Sequence, residues 1–188
     1  MLIALTLFAA LAYPITAAKI SISIGSLAFT PDTVTAAVGD IIEFNFFPIN
    51  NSAIMSDFST PCTPAKVGGF NSGFYATDNG QNKNAFQIVV NTTEPMFIYC
   101  GFPSHCKNGM AAVVNPGNGQ TLEAYRLAAE KVKDTVVPDG VFGGQAVAAS
   151  GGSSTPPASN PSGPKANGAA SVGVSAVGVL AAVVITML

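Results

Sequence analysis

Cys100, His105 and Met110 stand five residues apart on one short run, Cys-Gly-Phe-Pro-Ser-His-Cys-Lys-Asn-Gly-Met, so a thiolate, an imidazole and a thioether share a loop. Soft sulfur donors with one imidazole select copper, and a His/Cys set with a weak axial Met suits a centre that passes single electrons. Each residue also has a plain structural role: Cys100 as a small buried hydrophobe at a strand end, His105 as a turn residue, Met110 as a core residue opening the next strand. Taken together, the even spacing between two strands directs three donors towards one point. A centre of that kind wants a second histidine, and His105 is the only one in the chain.

The elements that must position this loop are short strands. Ile20, Ile22 and Ile24 alternate with Ser21 and Ser23, the period of two of a half-buried strand. Val34 to Val38 is a second candidate. Gly39-Asp40 then turns into Ile41 to Phe47, with Ile42, Phe44 and Phe46 on one face and Glu43 and Asn45 on the other. Further strands are expected at Phe86 to Val90, Met96 to Cys100 and Met110 to Val114. Runs of this length broken by Gly, Pro and Asn predict an all-β, antiparallel sandwich. Ser52 to Lys83 reads as a long polar loop excursion with a helical turn at most. Thr121 to Lys133 reads as a helix, capped by Thr121, with Glu123 in its positive first turn and Leu122, Tyr125 and Ala129 on one stripe.

The two ends of the 188-residue chain read as address labels. Met1 to Ala12 is apolar, and Tyr13 to Ala18 supplies a breaker and small residues, which predicts a secretory signal over 1–18 cleaved near Ala17 or Ala18. A retained membrane helix is the alternative, although the run is shorter than the roughly 20 residues a span requires. Residues 19–133 form the expected domain, and 134–167, rich in Gly, Ser and Pro, an expected disordered stalk with hydroxyls open to O-glycans. Small residues at Asn167-Gly168-Ala169 ahead of the apolar Val172 to Leu188 predict a glycosylphosphatidylinositol (GPI) signal, with Asn167 lipidated and 168–188 removed. A retained C-terminal span is the alternative there.

A net charge of −2 with scattered Lys and Arg predicts no nucleic-acid partner and no polybasic membrane contact. Export implies an oxidising compartment, where three cysteines leave one over after any intramolecular pair. Asn50-Asn51-Ser52 and Asn91-Thr92-Thr93 are glycosylation sequons, which makes Asn50 and Asn91 candidate sugar acceptors.

Tyr99-Cys100, Pro103, His105-Cys106 and Gly109-Met110, with Phe29-Thr30-Pro31 and the strand from Val38-Gly39-Asp40 to Phe46, resemble the phytocyanin-like cupredoxins of plant and fungal surfaces. The resemblance runs from about Ile20 to Val132 and includes the Thr121-Leu122-Glu123 helix start. It implies a Greek-key sandwich with copper held at one end by two histidines, a cysteine and a methionine. Cys100, His105 and Met110 match the thiolate, the second histidine and the axial thioether. Cys106 matches a structural half-cystine, for which Cys62 is the partner; pairing through Cys100 instead would sacrifice the ligand. A Cys62–Cys106 bridge closes a loop of about 45 residues, worth roughly 3 to 4 kcal/mol on chain-entropy grounds. At the first histidine position the chain departs from the family, with Asn51 in its place.

Two readings follow. One is a non-catalytic, GPI-anchored module on the outer leaflet or cell wall, with a degenerate copper site. The other is a copper-binding electron-transfer protein using Cys100, His105 and Met110. Copper is compatible with both and required only by the second. The expected partners are the membrane, through the anchor, and either cell-wall carbohydrate or a redox partner, with the protein itself a monomer. A hydrolase built on Cys100 and His105 would need an orienting group and a cleft that nothing in the sequence announces.

Overall fold

The computed structural model describes residues 16–117 and 119–150. Residues 1–15 of the signal expected over 1–18, the stalk beyond residue 150, Asn167 and the C-terminal signal lie outside them. No helix among the described residues is long and apolar enough to cross a membrane.

Eleven strands are present among the described residues: β1 Lys19–Gly25, β2 Ala28–Thr30, β3 Thr33–Val34, β4 Ile41–Phe46, β5 Asn50–Asn51, β6 Ile54–Ser56, β7 Tyr75–Ala76, β8 Asn84–Val89, β9 Met96–Tyr99, β10 Ala111–Val114 and β11 Gln145–Ala148. They form a five-stranded sheet in the order β11-β8-β4-β1-β2, a four-stranded sheet in the order β3-β10-β9-β6, and a small β5-β7 pair. The sandwich is thus the expected all-β architecture, but its sheets are mixed rather than antiparallel. β1 runs parallel to β4, with Ile22 opposite Phe44, and β3 runs parallel to β10. The second candidate strand shrinks to β3.

Alternation in β1, β4 and β8 sends Ile22, Ile24, Ile42, Phe44, Phe46, Phe86 and Ile88 inward, where they meet Met96, Ile98, Ala112 and Val114 of the second sheet. β9 and β10 read as unbroken apolar runs because both of their faces are covered. Phe97, Tyr99, Ala111 and Val113 point the other way, into a second cluster with Leu122, Tyr125 and Ala129 of α1, Leu122–Ala129. Thr121 caps α1 by accepting from the Ala124 N–H at 3.1 Å, as its sequence position foretold. Tyr125 stacks on Phe97, ring centroids 5.0 Å apart, and its hydroxyl bonds Ser56 Oγ at 2.6 Å.

Glu43 and Asn45 point away from that core, as expected, and are nonetheless buried on the outer side of β4. Lys19 and Gln87 donate to the Glu43 carboxylate at 3.0 and 2.7 Å, and Gln81 donates to Asn45 Oδ1 at 2.6 Å, so the two polar residues of β4 are satisfied under a polar layer. The 52–83 excursion holds an edge strand, β6, and buried Ile54, Cys62 and Phe70 instead of a helical turn. Residues 134–150, expected to begin the stalk, form a strap instead. Val136 N–H donates to Cys62 O, Asn71 and Phe142 exchange main-chain bonds, and β11 pairs with β8. Main-chain pairing needs no apolar side chains. A Cβ at Gly144 would stand 2.6 Å from the Phe86 ring, so glycine permits the close approach.

Candidate metal centre

The loop that follows β9 is fastened before any ligand is considered. At its base the Cys100 N–H donates to Met110 O at 3.3 Å. Within it His105 N–H donates to Phe102 O and Met110 N–H to His105 O, both at 3.0 Å. A 3-10 turn, Cys106–Asn108, ends at Gly109, whose φ of 87° is the left-handed value glycine adopts freely. From outside, the Cys62–Cys106 disulfide, implied by the resemblance and formed in the structure, ties the turn to the 57–66 segment. Arg126 of α1 donates to the carbonyls of Gly109 at 2.9 Å and Ala111 at 2.8 Å while pairing with Asp32.

Inside the loop, Cys100 Sγ lies 3.5 Å from His105 Nδ1. Both Cys100 and Met110 are fully buried in the core cluster between the sheets, and His105 retains 9 % of its surface, its ring 4.6 Å from that of Phe102. The spacing in the sequence therefore does bring Cys100, His105 and Met110 to one end of the sandwich. Asn51, on β5, reaches the same place: its Oδ1 accepts from the Cys100 thiol at 3.7 Å while its Nδ2 donates to Phe47 O at 2.9 Å. The amide is held at both ends, and its oxygen is the atom aimed at sulfur.

Burial shifts both titratable groups towards neutrality. It pushes the Cys100 thiol up, against the smaller opposing pull of hydrogen bonds from the Phe102 and Ser52 backbone, and it lowers His105. Among the described residues no three of His, Cys, Asp and Glu converge, so a metal here would depend on Met110 and on the Asn51 amide. An amide oxygen is a hard donor, poorly matched to the soft set around it. These residues do not fit the four-donor copper centre that the resemblance implies; they supply two sulfurs, one imidazole and one amide turned to accept a thiol proton.

Sequence reasoning missed the residues that hold this arrangement. Ser52 Oγ accepts from the Gly101 N–H at 2.8 Å, locking β5 to the loop. Gly101 is itself enclosed: a Cβ there would stand 2.7 Å from Ile54 and 2.8 Å from Val137 of the strap. Ser52 lies beside Asn51 in the chain and could have been suspected, whereas nothing local announces Val137 or Arg126. Of the two sequons, Asn91 is exposed just beyond β8, while Asn50 is half-buried in β5 with its Oδ1 shut away and unpartnered.

No protein-family model matches the chain. It is 32 % identical over 133 residues to a probable GPI-anchored cupredoxin of the fungus Arthroderma benhamiae, covering 70 % of this chain and 66 % of that protein. An extracellular serine-rich protein of the same fungus is 30 % identical over 121 residues, 64 % of this chain and 47 % of that protein. The chain thus spans about two thirds and about half the length of these relatives. Among solved structures, it is similar to reduced auracyanin from Roseiflexus castenholzii, at TM-score 0.40 and 15 % identity over 52 % of this chain and 95 % of that one. Oxidised plastocyanin from Dryopteris crassirhizoma gives 0.34 and 14 % over 50 % and 96 %.

Proposed function

Since this chain belongs to the cupredoxin-like proteins, we propose that it is a non-catalytic cell-surface module whose copper site has become a closed thiol site. The observation that carries this reading is the Asn51 amide, tied through Nδ2 to Phe47 O and presenting Oδ1 to the Cys100 thiol. That contact occupies the direction from which a second imidazole would complete the donor set. In this reading the loop is architecture. The disulfide, Ser52 and Arg126 hold it closed with Cys100 protonated inside, and the module works through its exterior, with cell-wall carbohydrate as the partner class.

The same relatives support surface display. Cleavage near Ala17 or Ala18, a stalk beyond residue 150 and lipid attachment at Asn167 would place the domain on the outer leaflet as a monomer. A specific observation favours a second reading, a three-donor cuprous site on Cys100, His105 and Met110: the Cys100–His105 approach of 3.5 Å, with Met110 buried in the same cluster.

Titration of the purified full chain with Cu(II), and separately with Cu(I) under reductant, distinguishes the two. The thiol site predicts no intense visible thiolate-to-copper band, one cysteine titratable on unfolding and no thermal shift with either ion. A visible band with Cu(II) sinks the closed-thiol reading. Stoichiometric Cu(I) binding that raises the melting temperature, and is lost in Cys100→Ser, establishes the second reading instead.

A further inference from the structure

We propose that Asn91 carries an N-linked glycan whose first sugar is seated in a cleft on the outer face of the larger sheet. The inference rests on export to the surface and concerns the end of β8, away from the cysteine loop. Asn91 is the acceptor of the sequon Asn91-Thr92-Thr93, and all three residues are exposed. It also lines a cleft of about 310 Å³ with Ile41, Val89, Gln87, Gln145 and Gly144. That volume is at the small end of ligand-sized clefts, the scale of one sugar ring.

The cleft exists because β11 pairs with β8 only as far as Gln145, opposite Gln87, and then departs through Gly143 and Gly144. β8 continues past that point, so Ile88, Val89 and the approach to Asn91 run on without a neighbour on that side. Ile41 and Val89 are cross-strand partners and share the outer face. Val89 is 55 % exposed there and with Ile41 makes an apolar platform. The rim is polar: Gln145 is exposed, and Gln87, with its nitrogen engaged by Glu43, keeps its carbonyl oxygen as an acceptor. Apolar floor and amide rim match an N-acetylhexosamine, which has a C–H face, ring hydroxyls and an acetamide. Because Asn91 itself forms part of the wall, a sugar on its Nδ2 begins at the cleft.

The attachment balances as a transfer from a lipid-diphosphate-linked oligosaccharide, the donor available to a chain entering the secretory route. The Asn91 Nδ2–C1 bond forms, the bond from C1 to the diphosphate oxygen breaks, the lipid diphosphate leaves, and one amide proton is lost.

To test this, the full chain is expressed in yeast, and the exported glycoprotein is recovered and divided. One portion is trimmed with endoglycosidase H, which leaves a single N-acetylglucosamine on Asn91; the other is stripped with peptide N-glycosidase F, which hydrolyses the side-chain amide and leaves aspartate with no sugar at position 91. Peptide mass spectrometry should find Asn91 modified, and a bare Asn91 in exported protein overturns the proposal. The trimmed form should melt with the untreated glycoprotein, and the stripped form about 2 to 4 °C lower. Thr93→Ala, which loses the sugar without altering Asn91, should melt with the stripped form. In Val89→Ser the gap between trimmed and stripped forms should close to under about 1 °C, since the platform is gone. Equal melting of the two forms in the parent chain, or a gap that persists undiminished in Val89→Ser, overturns the seat.

Discussion

Asn51→His is the substitution that bears most directly on the cysteine loop. Asn51 uses both ends of its amide, Nδ2 on Phe47 O at 2.9 Å and Oδ1 on the Cys100 thiol at 3.7 Å. An imidazole turned towards sulfur can no longer donate to Phe47 O, and it leaves that carbonyl short of a partner. Without metal the variant should therefore lose about 1 to 2 kcal/mol. For a domain of this size that is a fall of about 3 to 8 °C in melting temperature. The same imidazole supplies the missing fourth donor. At a hundredfold excess of Cu(II) over its dissociation constant, ligation by the folded state alone adds about 2.7 kcal/mol, more than the loss. Calorimetry of parent and variant, with and without Cu(II), combined with the visible spectrum, reads every term. The variant should melt below the parent when metal-free and above its own metal-free value with copper, and it should develop an intense visible band that the parent lacks. An unchanged metal-free melt refutes the hydrogen bonds assigned to Asn51. A folded variant that stays colourless and melts at the same temperature with and without copper refutes the placement of residue 51 against the Cys100–His105 pair.

Removing the disulfide as Cys62→Ala with Cys106→Ala should lower the unfolding free energy by roughly 3 to 4 kcal/mol, because the bridge spans a sequence separation of 44; denaturant midpoints at constant slope check this. Burial works to raise the Glu43 carboxyl, but the bonds from Gln87 and Lys19 outweigh it and hold it below the ordinary glutamate value. Its contribution is therefore present above about pH 4.3 and lost as pH falls through the lower folded value. The stability gap between parent and Glu43→Gln should shrink on acidification over that range, and a gap independent of pH contradicts the assignment. Gly144→Ala should destabilise the strap, since its Cβ meets Gln87 O and the Phe86 ring; faster amide exchange confined to β11 and the facing β8 residues is the expected signature.

Much of the framework was legible because period and burial agree in β1 and in the inner face of β4, where Ile22, Ile24, Ile42, Phe44 and Phe46 all reach the core. The pattern separated the two faces of β4 but could not tell that the outer one is buried. Glu43 and Asn45 are polar, and a polar alternate residue reads as solvent-facing unless its partners are known. Those partners, Lys19, Gln81 and Gln87, come from three different segments. The strap failed to register for a related reason. Gln145–Ala148 adds a strand through main-chain bonds, and the Gly and Ala that make it resemble a linker are what let it lie close to β8. Parallel pairing of β1 with β4 was equally hidden, since register between non-adjacent strands leaves no trace in either strand's own pattern.

At the cysteine loop, identity was legible and consequence was not. The intervals between Cys100, His105 and Met110 bring the three to one end of the sandwich, because the Cys100–Met110 and Met110–His105 main-chain bonds close the loop whatever the side chains hold. Closure is reinforced by Ser52, Arg126 and the disulfide, none of which requires a metal. These closures hold this end of the fold without calling on a metal. An imidazole at residue 51 adds a donor to the soft set, whereas an asparagine amide satisfies the thiol and the Phe47 carbonyl at once. On the proposed reading, exchange at that single position would therefore separate cupredoxin architecture from copper chemistry.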